Sequence, residues 1–262
     1  MGPIESLNDA RLAPYRDLPA AARVRSAPHF IAEGEFLVER LLASDCTVRS
    51  VLATPTVAER MRERVPAHCE LLVAPAAVLK EILGFKFHLG VLACGERPAP
   101  RNVEAVDWPR CATVVACERV VNPDNIGAII RAAAALGADA VLLDRQSADP
   151  FSRRALRVSM GNVFRLPVYE TANLVAAVAA MRNQSGFDAA ATVADPAATA
   201  LARWKPGARR LLLFGGEGHG LSAELSAQAD VHVTIPMRQG VDSLNVAMSS
   251  GILLYHLQQL DA

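Results

Sequence analysis

The sequence predicts an α/β protein in two parts, a small α/β sandwich followed by a larger domain built on a mainly parallel sheet. Three observations predict it. Near-continuous apolar runs alternate with amphipathic stretches from about Pro28 onward. One aperiodic stretch, ERPAPRNVEAVDWPR, carries three prolines and reads as a linker. In the second part, polar and glycine-rich segments follow directly on apolar runs, which is where parallel sheets bind ligands. The expected boundaries are 1–97 for the first domain, 98–110 for the linker and 111–262 for the second domain.

In the first part, HFIAEGEFLVERLLAS contains a helix pattern at 34–43, with Leu37, Leu41 and Leu42 on one face. A strand follows at 48–53, then a charged helix at 56–64 capped by Thr56. CELLVAP is a strand, 76–83 a short helix and GVLACG a further strand. In the second part, strands are expected at 113–117, 140–143, 168–170, 188–193, 211–215 and 231–236. Helices are expected at 125–136, 152–160, 172–183, 222–227 and 243–260. Gly137 stands where a left-handed C-terminal cap belongs.

The 52% hydrophobic content suffices for real cores and excludes a disordered chain. Aromatics are scarce at 5%, so Ala, Val and Leu fill the interior. With 27 basic and 27 acidic residues, no global charge excess marks a nucleic-acid partner, although a local patch suffices for one. The five Cys form no C-x-x-C and no zinc spacing with His, and read as buried free thiols in a reducing compartment. Neither a signal peptide nor a membrane span is visible, so a cytoplasmic protein without a metal is expected.

Three segments carry candidate chemistry. In CERVVNPDNIGAIIRAAAALG, a strand ends near Cys117 and a helix follows a polar turn. Periodicity alone makes Asn125 a helix cap and Arg131 a solvated residue. In LLLFGGEGHGLS, four glycines surround Glu217 and His219. Glycine permits close backbone approach, and a carboxylate among glycines is not needed for a turn. In IPMRQGVDSLNVAMSSGILLY, Ser243 and Asn245 fall at the start of a helix, where free N–H groups and side-chain oxygens meet. The middle segment adds Arg153, Arg154 and Arg157 on one helix face, read evenly as solvated or phosphate-binding. Arg23 and Arg25 make the N-terminal approach basic. Phe85, Lys86, Phe87 and His88 are read evenly as a stacking group for unpaired bases or as two core phenylalanines beside an exposed Lys86.

NPDNIGAIIRAA, LLLFGGEGHGLS and IPMRQGVDSLNVAMSSGILLY, in this order, resemble the three signature motifs of the SpoU/TrmH family of SPOUT methyltransferases. The resemblance spans about 111–260. FIAEGEFLVERLLAS and HLGVLACGE more loosely resemble the L30e-like substrate-binding domain found ahead of it. The resemblance implies a C-terminal trefoil knot, an exception among folds. It also implies S-adenosylmethionine as cofactor, held at Gly215, Gly216, Ile235, Met237, Leu244 and Asn245. The reaction implied is methyl transfer to a ribose 2′-hydroxyl of structured RNA, rRNA ahead of tRNA. Asn125, Arg131, Glu217, Ser243 and Asn245 are the implied catalytic set. A homodimer through the second domain is implied as well, with one subunit's Arg131 near the other's cofactor. The alternatives are a non-catalytic RNA-binding protein of the same fold, and an α/β enzyme binding another nucleotide at LLLFGGEGHG.

Overall fold

A computed structural model describes residues 2–4, 6, 8–16, 27–83 and 89–261. Arg23, Arg25 and the Phe85–His88 stretch lie outside the described residues. The chain divides into two compact units. The first contains 1–99 together with 151–164, and the second contains 100–150 together with 165–262.

The first unit is built on a five-stranded sheet. Its strands are β1 (Gly2–Pro3), β2 (His29–Glu33), β3 (Val48–Ala53), β4 (Glu70–Val73) and β5 (Val91–Glu96), in the order β1-β4-β3-β5-β2. The β1–β4 and β4–β3 pairs are parallel, and β5 runs antiparallel to both β3 and β2. Among the described residues, helices α1 (Glu35–Leu42), α2 (Pro55–Met61) and α3 (Ala76–Leu83) accompany them. The core gathers Leu12, Tyr15, Leu52, Leu72, Leu79 and Leu92. Tyr15 is fully buried with its hydroxyl 2.9 Å from the Ser50 carbonyl, and burial pushes its pKa far up, so it stays neutral. Sequence reading missed β2, because HFIAE is short and runs straight into Gly34 at φ +93°, where α1 begins. It also set the cap of α2 two residues late; Thr54 precedes Pro55 at the first helical position.

Helix α5 (Arg153–Val158) belongs to this first unit, although its sequence lies inside the second. Aromatic packing explains why. The Phe30 ring on β2 lies 5.0 Å from Phe151 and 5.6 Å from Phe164, centroid to centroid. Gly95 on the neighbouring strand makes room for it, since a Cβ there would sit 2.4 Å from the Phe30 ring. Arg153 pairs with Glu33 at 2.6 Å, and Arg40 donates to the Met160 carbonyl. The helix is shorter than expected and ends in a turn at Met160–Gly161, with Met160 at φ +54°.

The second unit holds seven parallel strands: β6 (Ala112–Glu118), β7 (Ala140–Asp144), β8 (Val168–Thr171), β9 (Asp188–Thr192), β10 (Thr199–Ala200), β11 (Arg209–Gly215) and β12 (Val231–Thr234). Their order is β10-β12-β9-β11-β6-β7-β8. The strand order reverses between β6 and β11, which makes the carboxyl ends of these two neighbours the switch point of the sheet. Helices α4 (Pro123–Ala135), α6 (Leu174–Ser185), α7 (Ala223–Ser226) and α8 (Val246–Asp261) complete the unit, and α8 packs on α4. The expected left-handed cap is present, with Gly137 at φ +79° and the Ala138 N–H on the Ala133 carbonyl.

Residues 100–110 are not a free tether. Val103 and Trp108 are buried in the core of the second unit, the Trp108 ring edge-on to Phe187 at 5.4 Å. Arg209 clips the stretch down by donating to the Trp108 and Pro109 carbonyls at 2.7 and 2.9 Å. Low periodicity hid this, because Val103, Val106 and Trp108 are too few and too unevenly spaced to make a pattern. Among the described residues no helix is long and apolar enough to cross a membrane, and no cluster of three metal-ligating side chains occurs.

Candidate active site

A cavity of about 360 Å³ opens at the carboxyl ends of β9, β11 and β12. Thr192–Ala194 line it after β9, Phe214–Glu217 after β11, and Val233, Ile235 and Met237 around the end of β12. Ser243, Leu244 and Asn245 close it ahead of α8. All six residues expected to hold the cofactor line this cavity: Gly215, Gly216, Ile235, Met237, Leu244 and Asn245. Its walls combine apolar side chains and bare main chain with the polar side chains of Thr192, Glu217, Ser243, Asn245 and Ser249, suited to a ligand with one flat apolar part and a few polar groups.

The glycine loop is bare for a local reason. A Cβ on Gly215 would sit 2.0 Å from the Gly220 carbonyl carbon, and one on Gly216 would sit 2.1 Å from the Arg119 carbonyl oxygen. Gly220 itself turns at φ +64°, and its N–H donates to the Gly216 carbonyl at 2.9 Å. The loop is thus folded against its own return and against the end of β6, which leaves its main chain facing the cavity. Gly218 has open space around it.

The end of β6 is braced to receive this loop. Arg119 adopts φ +54°, a conformation costing about 1–2 kcal/mol for a residue with a Cβ. Its N–H is held by the Asp144 carboxylate at 3.1 Å, and the next N–H, that of Val120, by the Ser147 hydroxyl at 3.0 Å. The buried Glu118 carboxylate accepts from both the backbone N–H and the hydroxyl of Ser222, at 2.6 and 2.7 Å. Ser222 in turn caps α7. Cys117, fully buried beneath this turn, has its thiol pushed up by burial, with the Asp144 and Glu217 charges acting in the same direction; it stays protonated.

Three polar side chains from the three motifs form one chain of hydrogen bonds. The Asn245 amide donates to the Asn125 oxygen at 3.0 Å, and the Asn125 amide donates to Glu217. Both ends of the Asn125 amide are therefore used, which fixes its orientation. The oxygen of Asn245 accepts the Ala247 N–H at 2.9 Å and so caps α8, which starts at Val246 rather than at the expected 243. Ser243 lines the cavity from the loop. Asn125 is buried and is not the cap of α4; Asn122 caps it through the Asp124 N–H at 2.9 Å. Pro123 at the first helical position shifts that helix start upstream.

Arg131 stands apart. It is exposed on α4, makes no hydrogen bond or ion pair among the described residues, and does not line the cavity. It lies six positions after Asn125, which turns it well away from that face of the helix. Of the middle arginines, Arg153 is committed to Glu33, whereas Arg154 and Arg157 are exposed. The sequence reading of five buried thiols needs correction at Cys111, which is exposed, and at Cys46, which is half-buried. Glu118, Asp144 and Ser147 were missed. Their one available signal was position, since a polar residue at the end of an apolar strand beside the switch point has neighbours to hold.

Comparison with known proteins places this geometry. Residues 112–255 match the SpoU rRNA methylase family. An uncharacterized tRNA/rRNA methyltransferase of Mycobacterium tuberculosis is 35% identical over 95% of this chain and 88% of its own. The 23S rRNA (guanosine(2553)-2′-O)-methyltransferase of Bacillus subtilis is 28% identical over 98% of this chain and 100% of its own. Among solved structures, the SpoU methyltransferase AviRb from Streptomyces viridochromogenes, in complex with AdoMet, superposes with a TM-score of 0.82 at 25% identity. That match covers 97% of this chain and 98% of AviRb. The chain belongs to the SpoU rRNA methylase family and is an RNA methyltransferase.

Proposed function

We propose that this protein transfers a methyl group from S-adenosylmethionine to a ribose 2′-hydroxyl of ribosomal RNA. One observation carries the reading. The Asn245–Asn125–Glu217 chain puts Asn245 and Glu217 into the wall of a cavity that is otherwise rich in main chain and apolar side chains. The residues fit the cofactor. Phe214, Val233, Ile235 and Leu253 offer apolar walls for a purine, and the main chain of Gly215, Gly216 and Leu244 offers polar partners without side chains in the way. Bound there, the cofactor supplies an activated methyl group on a sulfonium.

The protein's own task is then to position the hydroxyl and lower the cost of its deprotonation. Glu217, oriented by Asn125, and Ser243 at the cavity rim are the groups that meet the ribose. Arg131 presents a planar fork of donors, so it acts by holding a phosphate next to the target ribose and stabilising the developing alkoxide. Its exposed place on α4 supports a site completed by a second subunit. An apolar stripe of Met248, Ile252 and Tyr255, 36–56% exposed on the partner helix α8, supports a homodimer through this unit. The packing of α8 back onto α4 is consistent with the family's trefoil knot.

Tritiated S-adenosylmethionine with transcribed 23S rRNA, followed by alkaline hydrolysis, tests the reaction. Label in alkali-resistant dinucleotides is expected; label on a base would refute ribose methylation. Arg131→Ala should lower turnover about 10²–10³-fold with cofactor affinity nearly unchanged. Mixing Arg131→Ala with Glu217→Ala protomers should restore about a quarter of wild-type activity if each site draws on two subunits. No restoration would mean that each site is complete within one chain.

A further inference from the structure

We propose that Phe36, Arg40 and Arg157 form a stacking and phosphate-binding platform on the first unit for an unpaired nucleotide of the RNA substrate. This inference rests on the methyltransferase reading above. Phe36 is 44% exposed, and among the described residues it is the one phenylalanine so exposed. An aromatic ring left in water in a chain with only 5% aromatics has not been placed there for the core. The Arg40 guanidinium covers it at 4.4 Å from the ring centroid, and Arg40 is itself anchored to the Met160 carbonyl. The ring is therefore pre-positioned, which lowers the ordering cost of binding.

The charge around the ring favours a polyanion. Glu35 and Glu39, its acidic neighbours on α1, are paired with Arg60 of α2 and with Arg64 just beyond its end. Arg40 adds positive charge. The turn at Met160–Gly161 packs on the same helix, since a Cβ on Gly161 would touch Leu37 and Arg40 at 3.2 and 3.3 Å. The Met160 N–H bonds the Arg157 carbonyl at 3.0 Å, which sets Arg157 one turn away, exposed and without a hydrogen bond or ion pair among the described residues. A flat ring, a guanidinium stacked on it and a free guanidinium nearby are the components by which single-stranded RNA is held: base on ring, phosphate on cation.

The test uses the full chain. Binding of a fluorescein-labelled single-stranded 12-mer oligoribonucleotide and of transcribed 23S rRNA is measured across a salt series, alongside methylation kinetics. Phe36→Ala should weaken RNA binding about tenfold and raise KM for RNA without changing kcat or cofactor affinity. Phe36→Trp should restore binding. Arg157→Gln should weaken binding and reduce the salt slope by about one phosphate contact, a change that Phe36→Ala should not produce. Wild-type affinity in Phe36→Ala would overturn the platform, as would a change in oligomeric state with RNA affinity intact, which would assign the ring to a protein partner. If the wild-type protein itself neither binds nor methylates RNA, the underlying reading fails instead.

Discussion

The seven-stranded sheet runs every strand in one direction, whereas the five-stranded sheet reverses at β5. In the parallel sheet every carboxyl end lies along a single edge, so segments 90 or more residues apart meet there, as Asn125 does with Glu217 and Asn245. The mixed sheet has no such edge. Its distinctive features lie on helix surfaces, in the Glu35–Arg60 and Glu39–Arg64 pairs and the Phe36–Arg40 stack. The difference teaches where each unit is intolerant. The second unit depends on close main-chain approach at its strand ends, and the first on aromatic packing between its sheet and the segment 151–164.

The sharpest way to break this contrast is in the glycine loop. Gly216→Ala places a methyl group against the Arg119 carbonyl, which is backbone and cannot step aside. Methylation should fall by about a hundredfold or more, with cofactor affinity falling in parallel, because displacing a positioned group by about 1 Å costs that much. Gly218→Ala, with nothing within reach of its Cβ, should keep near wild-type activity in the same assay. Equal losses in the two variants would show that loop flexibility, rather than close approach, is what matters.

In the first unit the matching break is Phe30→Ala. It removes a buried ring that lies against both Phe151 and Phe164, and should cost about 3–5 kcal/mol in urea unfolding. The active-site hydrogen bonds lie in the other unit, so cofactor affinity below the unfolding transition should be unchanged. A loss of affinity equal to that of Gly216→Ala would erase the distinction between the two units.

The smallest effect concerns a surface pair. Burial pushes the Asp230 carboxyl up, but Arg182 and the Ala189 N–H offset this and hold it below its usual range. A depressed carboxylate adds stability above its unfolded pKa and loses it as pH falls through the folded one. Asp230→Asn should therefore lower Tm slightly at pH 7, and the gap to wild type should close on acidification. A gap that persists in acid would point to lost packing instead of lost charge.

Much of the second unit was legible because its central strands are nearly uncut apolar runs. Val114–Cys117, Val141–Leu143 and Leu211–Leu213 are all fully buried, so no alternation obscures them. Their strand-end motifs follow directly, and the cavity-lining residues with them. The parts that sequence did not disclose depend on distant partners. Nothing local in FSRRALRVSMGNVF says that Phe151 and Phe164 belong beside Phe30. Two-residue strands such as β1 and β10 exist only through the neighbours they pair with. Asn122 outcompeted Asn125 as the cap because Pro123 moved the helix start, which left Asn125 free to hold Glu217.

The placement of 151–164 bears on how such a protein can be cut and recombined. A gene fragment that stops at Ala99 encodes every strand of the five-stranded sheet yet omits the two rings that cover Phe30. Its product would carry a bare aromatic face and tend to self-associate. A fragment that starts at Pro100 would carry the orphaned loop instead. Swapping the front half between relatives at the apparent linker therefore means exchanging the interior helix with it.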